Sequence, residues 1–534
     1  MLDTLSEGIL VFVAHKEVTL SLAIFFILLL GVISVSLEQG EKTRLPFFLL
    51  VFFSLSILLR LAFLSDVIVP SYFDSVTHVR VANALLEGFK HRDLPPLSSL
   101  TAGYYHLGFH WVVSLLALGL RADLINVMLI FGQITLAALP IPLFLLIYQH
   151  TASKTAALLT AILAGFGWYM PSLLIDWGKY PAITSLLFFE LVLYYAYLLT
   201  EPKQQKYYGI SFILLLAGML FTFYVHSRMS FVILISFASW VLAVKANNLP
   251  QKHQASVFRI LLLLIVGIIF YTQQNPLLTL TFEPYFFGAG GYSTAILLFF
   301  SIFAFREYRQ GVYFCLLFML GILAALYIPF SVSMVNLPAR NLLDRPFVEM
   351  IFHLPLSLMG GLGFAGFVKR MERLPVFNRS FFQNLFIFLL ISFLSFFMIK
   401  NHRFHPSGCC TLVYYDDTIM MDWIAKNLPD DTRILVAANP LEVMPDAKSS
   451  GLVGSDAGVW LPYFTRREIL PFPYTADFSN AAIRQQLCQS RVDYIYVGAN
   501  AQSFNDKTFL ENKHWYKEVI SLPHAGLFAI EDCP

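Results

Sequence analysis

The sequence predicts a polytopic α-helical membrane protein with about twelve spanning helices, followed by a small α/β domain. Three observations support this fold class. Hydrophobic residues make up 57% and charged residues 13% of the 534 residues, whereas soluble domains carry roughly 25% charged residues. Apolar runs near the length of a spanning helix recur as far as residue 400. Beyond it, the apolar runs shorten to the length of β-strands.

Each candidate span is an apolar run close to the roughly 17–25 residues that a helix needs to cross a bilayer. The candidates are 18–38, 46–65, 124–148, 155–174, 181–200, 208–225, 229–245, 257–272, 291–305, 311–330, 350–368 and 382–400. No small-residue cleavage site follows the run 18–38, so we expect a spanning helix there rather than a signal peptide.

The apolar stretch 108–120 has only 13 residues and fits either a short span or a helix at the membrane interface. If it does not cross, basic residues gather in the loops on one side, including Lys369, Arg370 and Arg373 in the loop 369–381. The positive-inside rule makes that side cytoplasmic. We therefore predict that 108–120 does not cross and that both termini lie outside the cell.

This topology divides the chain into a transmembrane domain, 1–400, with a large first outer loop, 66–123, and an extracytoplasmic domain, 401–534. In the second domain, strand-like runs at 433–438, 492–497 and 526–530 alternate with helical stretches near 416–427 and 479–490. Such alternation favours a small α/β domain with a partly parallel sheet. The domain also contains four of the five cysteines, without a CxxC spacing, so disulfides are a more natural expectation there than zinc.

The first outer loop contains a carboxylate and a histidine four positions apart, Asp74 and His78. On a helix these two side chains would share one face. A carboxylate at the membrane boundary is costly unless it is paired or functional, so one interpretation is a general base or a cation ligand. The other is a helix N-cap, because a helical pattern follows Asp74 and Asp is a favoured cap. The residues alone leave both interpretations open.

Further along the same loop, Tyr104, His106 and His110 form an aromatic and histidine-rich stretch. Two histidines four apart are compatible with metal binding, but an interfacial aromatic belt explains them more simply. In a later outer turn, Asp176 and Lys179 are close enough in sequence to pair with each other.

Two basic elements also fall on the predicted outer side, His226 with Arg228 and Arg340 with Arg345. Arginines on this side run against the positive-inside bias. The guanidinium fork matches phosphate, so a lipid-linked phosphate at the outer leaflet would account for them. The alternative is that they extend from the membrane boundary into the headgroup region.

The order of these elements resembles the GT-C superfamily of integral membrane glycosyltransferases. Members have many spanning helices, a large first outer loop with an acidic residue, and often a C-terminal extracytoplasmic domain. Phe73-Asp74-Ser-Val-Thr-His78 looks like the acidic segment, and Tyr104 to His110 is similar to the stretch that introduces a juxtamembrane helix. The segment Ser455 to Arg467 resembles a loop that lies over the membrane cavity. No WWD-type motif of oligosaccharyltransferases is present.

The resemblance implies a plasma-membrane enzyme of the cell envelope that transfers a hexosyl or pentosyl group. The donor would be a polyprenyl-phosphate-linked sugar, and the acceptor a glycan, lipid or protein on the outer face; membrane lipids, but no nucleic acid, are expected partners. No cofactor is firmly implied, although a divalent metal, Mg²⁺ or Mn²⁺, is left open. By the resemblance, Asp74 would be the general base, with His78 beside it. The residues expected to bind the substrate and its phosphate are Arg340, Arg345, Arg228, His226, Lys179, Tyr104, His106 and His110.

Two other functions are compatible with the sequence. A transporter or flippase of lipid-linked substrates would be expected to carry ionisable residues inside its spans, and Glu190 is the main residue of that kind. A non-catalytic assembly protein would use the outer domain as a binding module, but it would not need arginines on the outer side.

Overall fold

The computed structural model describes residues 45–91, 106–200, 208–274, 279–286, 288–330, 340–373, 380–440, 451–531 and 533. Within these ranges the chain forms a helix bundle followed by a small domain built on a β-sheet. The predicted span 18–38 and the candidate residue Tyr104 lie outside the described residues.

The bundle is built from sixteen described helices and one two-stranded ribbon. The helices are α1 (Leu45–Leu64), α2 (Tyr72–His91), α3 (Gly108–Leu120), α4 (Leu124–Ala138), α5 (Pro140–Thr151), α6 (Lys154–Ile162), α7 (Leu173–Asp176), α8 (Tyr180–Thr200), α9 (Tyr208–Val225), α10 (Met229–Asn247), α11 (Gln251–Thr272), α12 (Glu283–Phe286), α13 (Gly288–Glu307), α14 (Arg309–Ala325), α15 (Arg345–Glu372) and α16 (Ser380–Asn401). The ribbon pairs β1 (Pro329–Phe330) with β2 (Arg340–Asn341) in antiparallel fashion.

Eight of the predicted spans coincide with helices that are long and apolar enough to cross a membrane. These are α1, the continuous pair α4 and α5, α8, α9, α10, α11, α15 and α16. The predicted spans 155–174 and 311–330 fall on shorter apolar helices, and 291–305 falls on α13.

Two of the shorter helices end earlier than predicted, for identifiable reasons. Helix α6 ends at Ile162 and continues only as a π-helical turn, Leu163–Gly167, after which Trp168 is extended. Gly165 and Gly167 lower the helix propensity of this stretch. Helix α14 ends at Ala325, because Pro329–Phe330 are paired with β2 instead of continuing the helix.

Helix α15 lies at the centre of the bundle, with 94% of its most apolar stretch buried within the protein. Small residues let its neighbours approach its backbone closely. A Cβ atom at Gly363 would lie 2.5 Å from the carbonyl oxygen of Phe300 in α13. The glycines of α15 therefore set the distance between the central helix and α13.

Glu190, the ionisable residue predicted within a span, lies on α8 and faces α15. Its Oε1 is 3.6 Å from Nε2 of His353, and both side chains are fully buried. The carboxylate thus has an imidazole of the central helix as its neighbour, and the pair joins two spanning helices.

Helices α2 and α3 pack together at the end of the bundle where the C-terminal domain lies, which we call the domain end. The backbone N–H of Tyr72 donates to the carbonyl of Cys410 over 2.8 Å. Nearby, Nδ1 of His405 is 2.7 Å from Oδ2 of Asp66. Both contacts tie the start of α2 to the segment that leads into the C-terminal domain. Helix α3 spans the predicted residues, Gly108–Leu120; that it does not cross the membrane stays a prediction.

The C-terminal domain contains a six-stranded mixed sheet with helices beside it. Its strands are β3 (Arg433–Pro440), β4 (Leu452–Gly454), β5 (Glu468–Pro473), β6 (Tyr494–Val497), β7 (Tyr516–Ser521) and β8 (Gly526–Ile530), and its helices are α17 (Tyr415–Asn427), α18 (Leu461–Thr465), α19 (Ala481–Gln489) and α20 (Asp506–Glu511). Strand β3 is parallel to β5 and β6, whereas β8 is antiparallel to β6 and β7.

The predicted strands 433–438, 492–497 and 526–530 fall on β3, β6 and β8, and the two predicted helices fall on α17 and α19. The sequence analysis missed β4, β5 and β7. Strand β5 contains Pro471 and Pro473, and prolines within a run argue against a central strand. Strand β7 has exposed lysine and glutamate positions, Lys517 and Glu518, which weaken its apolar alternation.

Two disulfides are present in the C-terminal quarter. One joins Cys488 at the end of α19 to Cys533 near the chain's last residue, and the other joins the neighbours Cys409 and Cys410. The expectation of disulfides in this domain is therefore met, and Cys315 is a buried free cysteine in α14.

Asp456 predicts how the stability of the C-terminal domain depends on pH. It is buried, and it accepts hydrogen bonds from Ser503 Oγ over 2.6 Å and from the Gly458 N–H over 2.9 Å. Burial raises its pKa from 3.8 to about 7. The folded chain therefore binds more protons than the unfolded chain in this range, so we expect stability to fall as pH rises from about 4 to 7.

Thermal unfolding of the full chain between pH 5 and 8 measures this effect. Asp456→Asn keeps an acceptor for Gly458 and should flatten the pH dependence. Asp506→Asn, an exposed carboxylate at the start of α20, serves as the matched control and should leave the dependence as it is. An unchanged slope in Asp456→Asn would contradict the assignment.

Candidate functional site

Asp74 lies at the domain end, in the first turn of α2. The helix begins at Tyr72, so Asp74 is the third residue of the helix and the N-cap interpretation is wrong. Its Oδ2 instead forms an ion pair with Nζ of Lys179, and both side chains are half-buried. The carboxylate is therefore held by a cation from a distant part of the sequence.

The segment between α7 and α8 brings Lys179 to this position. Gly178 has a φ of +65°, in the left-handed region, and a Cβ atom there would lie 2.9 Å from the carbonyl oxygen of Ser71. Only glycine fits both the conformation and the space. Asp176, three residues before Lys179, does not pair with it; its Oδ2 instead accepts a hydrogen bond from the hydroxyl of Tyr169 over 3.1 Å.

The ion pair also changes the acid–base behaviour of Lys179. Burial lowers the pKa of its ammonium, but the Asp74 carboxylate outweighs this effect, and the pKa lies above its ordinary value. Lys179 therefore stays charged at neutral pH and supplies a fixed positive charge beside Asp74.

His78 lies one turn after Asp74 and is buried, at 3% exposure. Its Nδ1 is 3.1 Å from Nε2 of His110 on α3. Burial, together with the charges of Lys179 and His226, lowers the pKa of His78 to about 3. Burial likewise lowers the pKa of His110 well below its ordinary value. Both rings are thus neutral, one nitrogen donating and the other accepting. The histidine pair joins α2 to α3 and does not face solvent.

His106 and His226 also lie at the domain end. Nε2 of His106 is 3.1 Å from the hydroxyl of Ser227, and its ring centre is 5.5 Å from that of His226. The ring of His226 in turn lies 4.8 Å from that of Phe347, at the start of α15. These contacts connect the residues before α3 with the turn between α9 and α10.

Two predicted arginines meet carboxylates at the N-terminus of α15. Arg228 forms an ion pair with Asp344, whose Oδ1 also accepts from the Phe347 N–H over 3.1 Å and so caps the helix. Arg345 Nη1 is 2.8 Å from Oε1 of Glu349, one helical turn away. The third predicted arginine, Arg340, begins β2, and its side-chain position lies outside what the structure describes.

The charges of these residues act on one another's pKa values. Burial raises the pKa of the Tyr72 phenol, Lys179 lowers it, Asp74 raises it and Arg345 lowers it again. The charge of Asp344 also raises the pKa of Lys179. We call this group the polar cluster; it consists of Asp74, Lys179, His226, Arg228, Asp344, Arg345 and Glu349.

Each cation of the polar cluster is matched by one carboxylate. Lys179 pairs with Asp74, Arg228 with Asp344 and Arg345 with Glu349. Among the described residues, Nε of Arg345 has no hydrogen-bond partner. The cluster is therefore nearly neutral overall, yet it holds positively charged donors in fixed positions.

The composition of the cluster does not fit a metal centre. Within the described part of the chain, no group of three or more His, Cys, Asp or Glu side chains is arranged to hold a metal ion. The neighbour of the Asp74 carboxylate is the Lys179 ammonium, which repels a divalent cation.

A cavity of about 770 Å³ lies beside the cluster, and the sequence analysis did not identify it. Arg345 and Glu349 line it from the cluster side, and Trp177 lines it two residues before Lys179. Its remaining wall includes Tyr169 and Arg403. Arg403 lies two residues after the end of α16, on the predicted outer side, and the sequence analysis did not single it out.

Comparison with solved structures identifies proteins of similar fold. No family model and no curated protein matches the sequence. Among solved structures, the chain is similar to the arabinofuranosyltransferase AftD from Mycobacteria, with a TM-score of 0.51 and 11% identity over 92% of this chain and 40% of that one. It also matches ArnT from Cupriavidus metallidurans, with a TM-score of 0.46 and 11% identity over 90% of this chain and 96% of that one.

The match to AftD shows a shared fold, as the resemblance described in the sequence analysis leads one to expect. The chain spans 40% of the length of that enzyme. At 11% identity the similarity establishes the fold alone, and the activity has to be argued from the site.

The paired carboxylate Asp344 yields a test of how the cluster is held together. Asp344→Ala removes a helix cap, worth about 1 kcal/mol, and also leaves Arg228 without its carboxylate. Asp123→Ala is a matched control, because Asp123 caps α4 through the Asn126 N–H at 3.0 Å. We expect Asp344→Ala to lower the melting temperature of the detergent-solubilised protein more than Asp123→Ala does.

Asn at each position separates the cap from the charge. Asp123→Asn should be nearly neutral, since Asn is also a good cap. Asp344→Asn should still lower the melting temperature, because the ion pair with Arg228 is lost. Equal melting temperatures for Asp344→Asn and the unchanged protein would show that the pair contributes nothing.

Proposed function

We propose that this chain is a membrane glycosyltransferase that moves a sugar from a polyprenyl-phosphate carrier to an acceptor hydroxyl at the domain end. The observation that carries the proposal is the polar cluster, in which the Asp74 carboxylate and three cationic side chains lie together beside a large cavity. The shared fold with an arabinofuranosyltransferase supports the reaction class. The chemistry below follows from these residues.

Asp74 is the general base of the proposed reaction. Its carboxylate accepts the proton of the acceptor hydroxyl while the hydroxyl oxygen attacks the anomeric carbon of the donor sugar. The bond from that carbon to the phosphate oxygen breaks, and the polyprenyl phosphate leaves with the bonding electrons. Lys179 orients the carboxylate through the ion pair. A positioned base of this kind contributes typically 10²–10⁴-fold to the rate.

The cations of the cluster stabilise the departing phosphate. Arg345 is the best placed, because it lines the cavity and carries a second terminal nitrogen, Nη2, besides the Nη1 that pairs with Glu349. Arg228 and Lys179 add positive charge, and Arg340 is proposed for the same role from its sequence position. Preorganised donors stabilise developing negative charge without further reorganisation.

The histidines act as positioning residues in this proposal. His78 and His110 hold α2 against α3 with neutral, buried rings. His106 and His226 connect the cluster to the turn before α10. None of them needs to exchange a proton, in keeping with the lowered pKa of His78.

The proposal places the domain end at the outer face of the plasma membrane. The basic loop that follows α15, which includes Arg373, would then be cytoplasmic in accordance with the positive-inside rule. The lipid tail of the donor would lie among the spanning helices, and the acceptor would be a glycan, a lipid or a protein.

Asp74→Asn tests the proposed base. The amide cannot take up the proton, so we expect the rate of sugar transfer from a polyprenyl-phosphate-linked donor to fall by at least about a hundredfold. The ion pair with Lys179 is lost, so the melting temperature should fall somewhat, and rates are compared at a temperature at which both proteins are folded. Asp66→Asn is the matched control, an exposed carboxylate shortly before α2 that contacts His405. Full turnover in Asp74→Asn would exclude Asp74 as the base.

Arg345→Ala tests the phosphate site. The variant loses charge-assisted hydrogen bonds worth roughly 1.5–3 kcal/mol, so the affinity for the polyprenyl-phosphate product should fall about tenfold or more. Arg373→Ala is the matched control. Arg373 follows the opposite end of the same helix, is exposed, and forms an ion pair with Glu307 at 3.0 Å.

The buried Glu349 requires a second variant. Removing Arg345 alone leaves this carboxylate without its cation, which destabilises the protein independently of any ligand. Arg345→Ala combined with Glu349→Gln removes that charge. Loss of phosphate affinity in both variants supports the assignment, and native affinity in the double variant would refute it.

A further inference from the structure

We infer that the cavity beside the polar cluster is a carbohydrate subsite that holds the acceptor, so that the acceptor of this enzyme is a glycan. This inference rests on the proposed function and names the substrate class of the same site. It depends on the chemistry of the cavity wall, on two buried polar atoms without partners, and on the way in which the wall is connected to Asp74.

The cavity has the size and the mixed lining of a ligand site. Its volume of about 770 Å³ lies within the roughly 300–1,000 Å³ that ligand pockets occupy. Its aromatic side chains include Tyr169 and Trp177, and its polar side chains include Asn401 and Ser407. Aromatic faces pack against the apolar C–H faces of a sugar ring, while the polar groups bond to its hydroxyls.

The charges on the wall distinguish a polyhydroxylated ligand from an anion. Arg345 and Arg403 line the cavity, but so do the carboxylates Glu283 and Glu349. A phosphate uses donors only, so the two carboxylates on the wall need a ligand that also donates. Sugar hydroxyls both donate and accept, so each one can meet a guanidinium or a carboxylate. The mixed wall therefore favours a neutral carbohydrate.

Two buried polar atoms on this wall need hydrogen-bond partners from a ligand, one a donor and the other an acceptor. Glu349 is 1% exposed, and within the described residues its Oε2 accepts no hydrogen bond. Nε of Arg345, on the same helix turn, likewise donates none. A buried polar group without a partner costs roughly 1–3 kcal/mol. Neighbouring hydroxyls of a sugar, one donating and one accepting, would satisfy both atoms.

Arg403 is positioned by Tyr169, and its remaining guanidinium N–H groups can donate to a ligand. Its Nη1 donates to the Tyr169 hydroxyl over 2.8 Å, and its guanidinium carbon lies 4.7 Å from the centre of that ring. The same hydroxyl donates to Asp176 over 3.1 Å. No carboxylate among the described residues forms an ion pair with Arg403.

The cavity is joined to the proposed base by a short rigid connection. Trp177 lines the cavity, and Lys179, two residues later, pairs with Asp74. Gly178 between them packs against the start of α2. On the other side, Arg345 lines the cavity while its charge acts on Tyr72 beside Asp74. A glycan in the cavity would therefore present a hydroxyl toward the base.

Binding is tested with the Asp74→Asn full-length protein in nanodiscs, which holds an acceptor without consuming it. The probes are an array of soluble neutral oligosaccharides of two to four sugars, with furanosyl and pyranosyl members, and inorganic phosphate. We expect at least one oligosaccharide to bind. Its affinity, measured by calorimetry, should fall about tenfold or more when Trp177→Ala or Arg403→Ala is added, since each removes a direct contact.

Conservative and distant variants separate a direct contact from a folding defect. Trp177→Phe keeps an aromatic face and should restore most of the affinity. Lys507→Ala, on the exposed surface of α20, should leave the affinity unchanged. Affinities are compared only among variants whose melting temperatures match that of the Asp74→Asn protein, so that a loss of binding reports on the cavity.

Two results would overturn the inference. They are an array without any bound oligosaccharide, and an oligosaccharide affinity that neither Trp177→Ala nor Arg403→Ala changes. Inorganic phosphate probes the phosphate site of the proposed function. Release of polyprenyl phosphate by the unchanged protein tests the proposed function separately. Glycan binding without turnover would refute the proposed function alone, and turnover onto a peptide or lipid without glycan binding would refute the subsite alone.

Discussion

The ion pair between Asp74 and Lys179 is the interaction on which the site depends. It joins α2 to the segment before α8, two parts of the chain that lie 105 positions apart. The approach is close because Gly178 has no side chain and adopts a left-handed conformation. A larger residue there would push Lys179 away from α2 and leave a half-buried carboxylate without its cation, an arrangement that low-dielectric surroundings make unfavourable.

The same rule of paired charges explains what the sequence could predict about the site. It identified Asp74, Lys179, Arg228 and Arg345 as notable, because charged residues at a membrane boundary need a reason to be there. It could not identify their partners, since Arg228 and Asp344 are 116 positions apart. Arg345 and Glu349 are the exception, because residues four apart on a helix are neighbours, and that pair could have been found from spacing alone.

For the fold, the helices with the longest apolar runs were the ones that the sequence predicted best. Helices such as α8 and α16 have enough apolar residues to be recognised from one stretch of sequence. Helix α6 and the strand β5 were misjudged, because glycines and prolines decide locally what a run of apolar residues becomes. The cavity was beyond prediction, since its wall combines residues from before α8, from α15 and from the segment after α16.

That last segment gives the C-terminal domain a part in the site. Arg403 and Ser407, which line the cavity, lie between α16 and α17, and the carbonyl of Cys410 holds the first residue of α2. The cavity wall and the orientation of the helix that carries Asp74 therefore both depend on how this segment docks on the bundle. Where such docking excludes water, the electrostatic interactions among the polar groups strengthen. The helix bundle supplies the charges of the polar cluster, and the segment that leads into the C-terminal domain completes the cavity wall beside them.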